Sequence, residues 1–294
     1  MRHKEKGGRA LNEKIWGPDA RDRLGAAGWA LLAWMLGRDL CSLLLQSAVA
    51  RWAGFLLEIP AFFRIVSILS CYGAGFPLAA WCMTRVSAAR KREKPGLGAG
   101  ELLLGFLALL GMMYGANLIT LAVRTLLGPV DREGAAVTAG PVALVILQTV
   151  ILAPLAEEGL FRGLMLGRLL PLGDRAAVAL SALCFALSHG SGEQFLYALA
   201  GGAVLGYLAV RTGRIWPGML LHSAANAMAL LLPRLGEAVE TAAVLALVPL
   251  GLLSAVYLWR QRPLPPGDGG WAGFWRQGGM PLALLYALML MVLR

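Results

Sequence analysis

The chain has 294 residues, 58% of them hydrophobic and only 15% charged, with a mean hydropathy of +0.65. A soluble domain carries more charge and shorter apolar runs, so the composition places this chain in a membrane. The formal net charge of +10 collects at alternate helix ends and forms no basic stripe with interleaved aromatics, which argues against a nucleic-acid partner.

The apolar stretches are long and lack strict alternation, so helices are expected and not a barrel. The predicted fold is all-α, a polytopic transmembrane bundle of eight or nine helices. Residues 1–24 read as a cytoplasmic basic tail, too long and too acidic for an ordinary signal sequence. Ala48-Val49-Ala50 resembles a cleavage site, but Arg38-Asp39 interrupts the apolar run before it, and a retained first helix is expected. That charged pair suggests contact with another helix or an interfacial break.

Within an N-terminal region of 25–141, spans are expected near 25–50, 61–83 and 101–123. Residues 142–232 form the region of interest, with spans near 142–169, 175–190, 194–211 and 216–232. Residues 233–294 add spans near 239–259 and 279–293, separated by a proline- and glycine-rich loop over Arg262–Gly279. The spans at 175–190 and 279–293 are short against the roughly 20 residues a crossing needs. Four cysteines (Cys41, Cys71, Cys82, Cys184) lie in apolar segments without C-x-x-C spacing, so they read as small buried hydrophobes.

Lysine and arginine placement orients the bundle. With the N-terminus inside, the tail holds Arg2, Lys4, Lys6, Arg9, Lys14, Arg21 and Arg23, and the next inner loop holds Arg85, Arg90, Lys91, Arg92 and Lys94. The outer connections keep Arg51, Arg64, Arg124, Arg132 and Arg234, with Arg294 at the far end. The expectation is an integral protein of the inner or plasma membrane with a cytoplasmic N-terminus.

Three polar clusters stand inside the apolar spans, where ionisable side chains are costly and mark sites. Glu157 and Glu158 precede Arg162. On a helix Glu158 and Arg162 share a face and can pair, while Glu157 is turned about 100° away and is left for proton transfer. His189 closes the run 177–188. Counting ~1.5 Å per residue from the turn near Pro171–Asp174 brings it level with Glu157, so the two can hold a water or two ligand positions of a metal. His222 and Asn226 are four apart on one face and can donate to one oxyanion. His222 lies few residues past the Arg214 turn, so a short or tilted sixth helix must bring it level with His189. Each cluster also has a structural reading, as a buried ion pair, a helix cap or an interhelical hydrogen bond. Zincin, nucleophile-elbow and Walker motifs are absent from the sequence.

E-E-x-x-x-R, F-x-x-x-H (Phe185, His189) and H-x-x-x-N, in that order and each in an apolar helix, resemble the CPBP (Abi) family of intramembrane proteases. That family includes the type II CAAX prenyl endopeptidases. The resemblance covers about residues 142–232 and implies an intramembrane polar cavity that opens toward the cytosol. It implies Glu157 as the base that activates water, His189 as a holder of that water, Glu158 and Arg162 as supporting residues, and His222 with Asn226 at the oxyanion. It implies as substrate a membrane-associated peptide or protein, in some members lipidated. Two mechanisms stay open, metal-free glutamate chemistry or a divalent metal such as zinc held by Glu157, His189 and His222. Competing readings are a catalytically silent scaffold that binds a partner, and a proton-coupled transporter. The lack of an internal repeat counts against the transporter.

Overall fold

The structure is a computed structural model and describes residues 18–88, 96–127, 140–265 and 274–293. The masses of basic residues expected in the tail before Pro18 and at 90–94, and most of the two long linkers, lie outside those residues. Nine helices and no strand occur among the described residues. They are α1 (Pro18–Trp52), α2 (Pro60–Thr84), α3 (Ala99–Leu127), α4 (Val142–Leu172), α5 (Asp174–Ser188), α6 (Gly192–Thr212), α7 (Trp216–Leu231), α8 (Glu237–Gln261) and α9 (Met280–Leu293). Six of them (α1, α2, α3, α4, α6 and α8) are long and apolar enough to cross a membrane. The protein is an integral membrane helical bundle, with the helix count the hydropathy predicts.

Helix α1 begins seven residues before its predicted start at 25. Pro18 is its first residue, where a missing N–H costs nothing, and Ala20 and Leu24 are already buried. The helix then runs unbroken through Arg38-Asp39 and through the segment that resembles a cleavage site.

Helices α2 and α4 are interrupted by widened π turns. In α2 the turn Leu69–Gly75 ends with Phe76 N–H bonded to Cys71 O, just before Pro77. In α4 the turn Leu147–Leu152 ends with Ala153 N–H bonded to Gln148 O, just before Pro154. A proline ring collides with the carbonyl four residues back, and one extra residue in the turn moves that carbonyl away.

Helix α3 packs on α8 and α6, α5 lies along α6, and α1 lies against α2 and α9. The α3–α8 crossing is close. A Cβ added to Gly111 would lie 2.5 Å from Gly251 Cα, so both glycines are needed for that approach. One end of the bundle is packed solid by Leu31, Phe161, Met165, Leu169, Leu180 and their neighbours. At that end Arg23 donates to Ser87 O and Arg168 O, Arg168 to Val86 O, and Arg175 to Leu264 O. At the other end Arg124 and Glu193 pair at 2.6 Å and join α3 to α6.

Candidate active site

The site is built around the break in α4. Glu157 ends a short α-helical turn and Glu158 begins a second π stretch, Glu158–Leu166. Glu158 and Arg162 pair at 3.1 Å with both side chains fully buried, as their four-residue spacing predicts. Arg162 Nη2 also donates to Gly202 O at 3.1 Å, and its guanidinium lies 4.5 Å from the centroid of Phe185. Arg162 thereby ties α4 to α5 and α6. Glu157 points elsewhere, into a cavity, with 16% of its side chain exposed.

Helix α5 is only 15 residues long, about 22 Å at 1.5 Å per residue, so it stops short of a full crossing. Its C-terminal carbonyls would be orphaned inside the membrane. Each of the last four has a donor. Phe185 O accepts from His189 Nδ1 at 2.9 Å and from Ser188 Oγ at 2.7 Å. Ala186 O accepts from His189 N and Leu187 O from Gly190 N. Ser188 O accepts from Arg38 Nη1 at 3.1 Å. A carbonyl only accepts, so His189 carries its proton on Nδ1 and keeps a lone pair on Nε2.

Arg38 is held in turn by Asp39, at 2.8 Å from Nε to Oδ1, and Tyr286 of α9 donates to Asp39 Oδ2 at 2.8 Å. The charged pair in the first span thus joins α1 to α5 and α9 beside His189. Its two charges were legible in the sequence, but their partners lie 150 and 247 residues away.

His222 reaches the same level. After α6 ends at Thr212 the chain turns back into the bundle. Ile215 sits against Gly163, and a Cβ added to Gly218 would lie 3.1 Å from Glu158 Oε2. Helix α7 therefore starts beside the middle of α4 and not beside its end, which removes the predicted mismatch in depth. His222 Nδ1 lies 3.1 Å from Glu158 Oε1, and Nε2 lies 3.8 Å from Glu157 Oε2. As the carboxylate of an ion pair Glu158 only accepts, so His222 donates through Nδ1. Glu158 is shared between Arg162 and His222, a link that neither four-residue spacing could reveal. Gly218, which makes room for the carboxylate, carried no sequence signal of its own.

Asn226 Nδ2 donates to Thr149 O at 2.8 Å. The local backbone explains why that carbonyl is available. In the π register set by Ala153 and Gln148, residue 154 would bond Thr149 O, but residue 154 is proline. Asn226 supplies the missing donor and keeps a second amide N–H.

Glu157, His189, His222 and Asn226 all line one cavity of about 670 Å³, together with Arg38, Asp39 and polar side chains such as Ser67, Asn117 and Gln148. Glu158 and Arg162 stand behind its wall. Phe185 packs edge-on between the imidazoles, 4.9 Å from His189 and 5.9 Å from His222. Among the described residues, no three His, Cys, Asp or Glu side chains are grouped to hold a metal ion.

No curated protein and no solved structure matches the chain. Residues 139–228 match the sequence model of a family described as type II CAAX prenyl endopeptidase, Rce1-like. The matched stretch runs from the start of α4 into α7 and contains all three polar clusters in order. Over residues 139–228, about a third of its length, the chain is similar to the Rce1-like type II CAAX prenyl endopeptidase family.

Proposed function

We propose that the protein is an intramembrane endopeptidase that cleaves a membrane-associated peptide with a water activated by Glu157. The observation that carries this reading is the convergence of Glu157, His189, His222 and Asn226 on one cavity inside an apolar bundle. A water between Glu157 and His189 donates one hydrogen to the carboxylate and the other to Nε2 of the imidazole. Its oxygen then attacks the peptide carbonyl carbon as Glu157 takes the proton. The second amide N–H of Asn226 serves the developing oxyanion, as does His222 in the state that carries a proton on Nε2. Collapse breaks the C–N bond, and Glu157 returns the proton to the leaving amine.

Glu158 and Arg162 position this machinery and touch no substrate. Glu158 holds His222 by Nδ1, and Arg162 neutralises the carboxylate inside the membrane. The substrate class is a membrane-associated peptide, lipidated in the form that the family description names. No step is routed through a metal.

The test is cleavage of a panel of membrane-anchored and prenylated peptides by purified protein. Glu157→Gln should lower kcat by at least 100-fold while the variant stays folded, the range expected for loss of a general base. Cleavage should survive exhaustive chelation. Full activity in Glu157→Gln would sink the reading, and activity lost on chelation and restored by zinc would replace its metal-free part.

A further inference from the structure

The position of the cavity along the bundle bears on the face from which substrate arrives, an inference that rests on cleavage taking place in this cavity. The lining side chains fall late in α1 (Ser42), early in α2 (Ser67), late in α3 (Asn117), early in α4 (Gln148), early in α6 (Gln194) and late in α7 (Ala229). Successive helices run in opposite directions, so all of these positions lie toward one end, the end away from Pro18. Toward the other end the bundle is closed by fully buried Leu31, Phe161, Met165, Leu169 and Leu180.

The two ends differ sharply in charge. Among the described residues Arg21, Arg23, Arg85, Arg168, Arg175, Arg211, Arg214, Arg260, Arg262 and Arg276 belong to the closed end, against Asp22, Glu101 and Asp174. Among the described residues the open end has Arg51, Arg64, Arg124 and Arg234, balanced by Glu58, Glu193, Glu237 and Glu240. Basic residues near helix ends are retained on the cytoplasmic side, and short loops follow this rule most closely. Every connection at the closed end among the described residues is short.

We propose that the cavity opens on the non-cytoplasmic face and takes its peptide from that face. The substrate is then an exported or membrane-inserted segment exposed outside the cytoplasm. This reverses the cytosolic opening that the family resemblance implies. The charge asymmetry orients the chain, and the tertiary packing puts the opening at the end with fewer basic residues.

The experiment uses full-length protein in sealed cells, with Cys41, Cys71, Cys82 and Cys184 replaced by alanine and one probe cysteine added. Ser42→Cys samples the cavity and Arg214→Cys the closed end. A membrane-impermeant maleimide should label Ser42→Cys at least 10-fold more than Arg214→Cys until the cells are permeabilised. The opposite ratio would overturn the proposal. If the cysteine-free background does not fold, a protease-cleavable tag ahead of Met1 on the otherwise unchanged chain replaces it. That tag should survive external protease in sealed cells and be lost on permeabilisation, whereas removal in sealed cells would refute the orientation. Neither readout needs catalysis, so adding Glu157→Gln should leave both unchanged. Failure of the orientation and failure of the hydrolase reading are therefore separable.

Discussion

Replacing Arg162 by leucine tests how the site is held together. The change removes the partner of a carboxylate that has no exposed surface and leaves Glu158 with His222 as its remaining polar neighbour. Breaking a buried pair from one side costs about 3–5 kcal/mol, because one charge stays in the low dielectric without its counter-ion. The loss of the hydrogen bond to Gly202 O is part of that cost, since hydrogen bonds to charged groups contribute about 1.5–3 kcal/mol. Removing both charges, as Glu158→Leu with Arg162→Leu, should cost less than the single change, because no isolated charge is buried.

The assay is equilibrium unfolding in detergent for the wild type, both single variants and the double variant. A coupling energy of about 2 kcal/mol or more is expected from the cycle. Cleavage should fall in all three variants, since His222 loses the carboxylate that orients it where Glu158 is replaced, and in Arg162→Leu that carboxylate loses the ion-pair partner that fixes it. A single-variant cost below about 1 kcal/mol, equal to that of a surface pair, together with unchanged cleavage would refute the reasoning. It would mean that water reaches Glu158 and that the pair neither strains nor positions anything.

Two further changes separate holding from chemistry. Arg38→Gln withdraws the donor on Ser188 O and should lower kcat about tenfold, or ~1.4 kcal/mol, with KM near its wild-type value. Arg38→Lys should recover part of the loss, and a change confined to KM would remove Arg38 from the positioning of His189. Asn226→Leu should cost about 1 kcal/mol of stability, typical of an interhelical hydrogen bond in a membrane, and should also reduce kcat. Adding Pro154→Ala restores an N–H facing Thr149 O and should recover the stability but not the rate. Recovery of both would make Asn226 purely structural.

The two helices that carry the histidine motifs are both short, at 15 and 16 residues. A helix that ends inside a membrane presents unsatisfied carbonyls or N–H groups that demand polar partners. The same polar partners can then serve a reaction. At the end of α5 that demand brings in Arg38 and fixes the tautomer of His189. In α4 the proline that removes an N–H recruits Asn226 to the cavity wall. Backbone accounting and site assembly are thus the same problem in this bundle.

Much of this protein was readable from its residues in order. Long apolar runs specify membrane helices because a lipid interior leaves the backbone no other way to satisfy itself. The spacing of Glu158 and Arg162 specifies their pairing because it is one helical turn. The same periodicity turns Glu157 away from the arginine, and the level match of Glu157 and His189 follows from counting residues along antiparallel helices. The order of the three motifs points to the family. Tertiary structure alone decided how deep α7 begins, because the path after Thr212 depends on packing against Gly163 and Glu158 and not on periodicity. It also decided that Glu158 serves His222 across 64 residues, that Arg38 caps a helix 150 residues away, and that the cavity lining gathers toward the end of the bundle away from Pro18. Periodicity sets which face a residue occupies, but tilt and axial shift between helices come from close contacts such as Gly111 with Gly251, and those exist only once the bundle has formed.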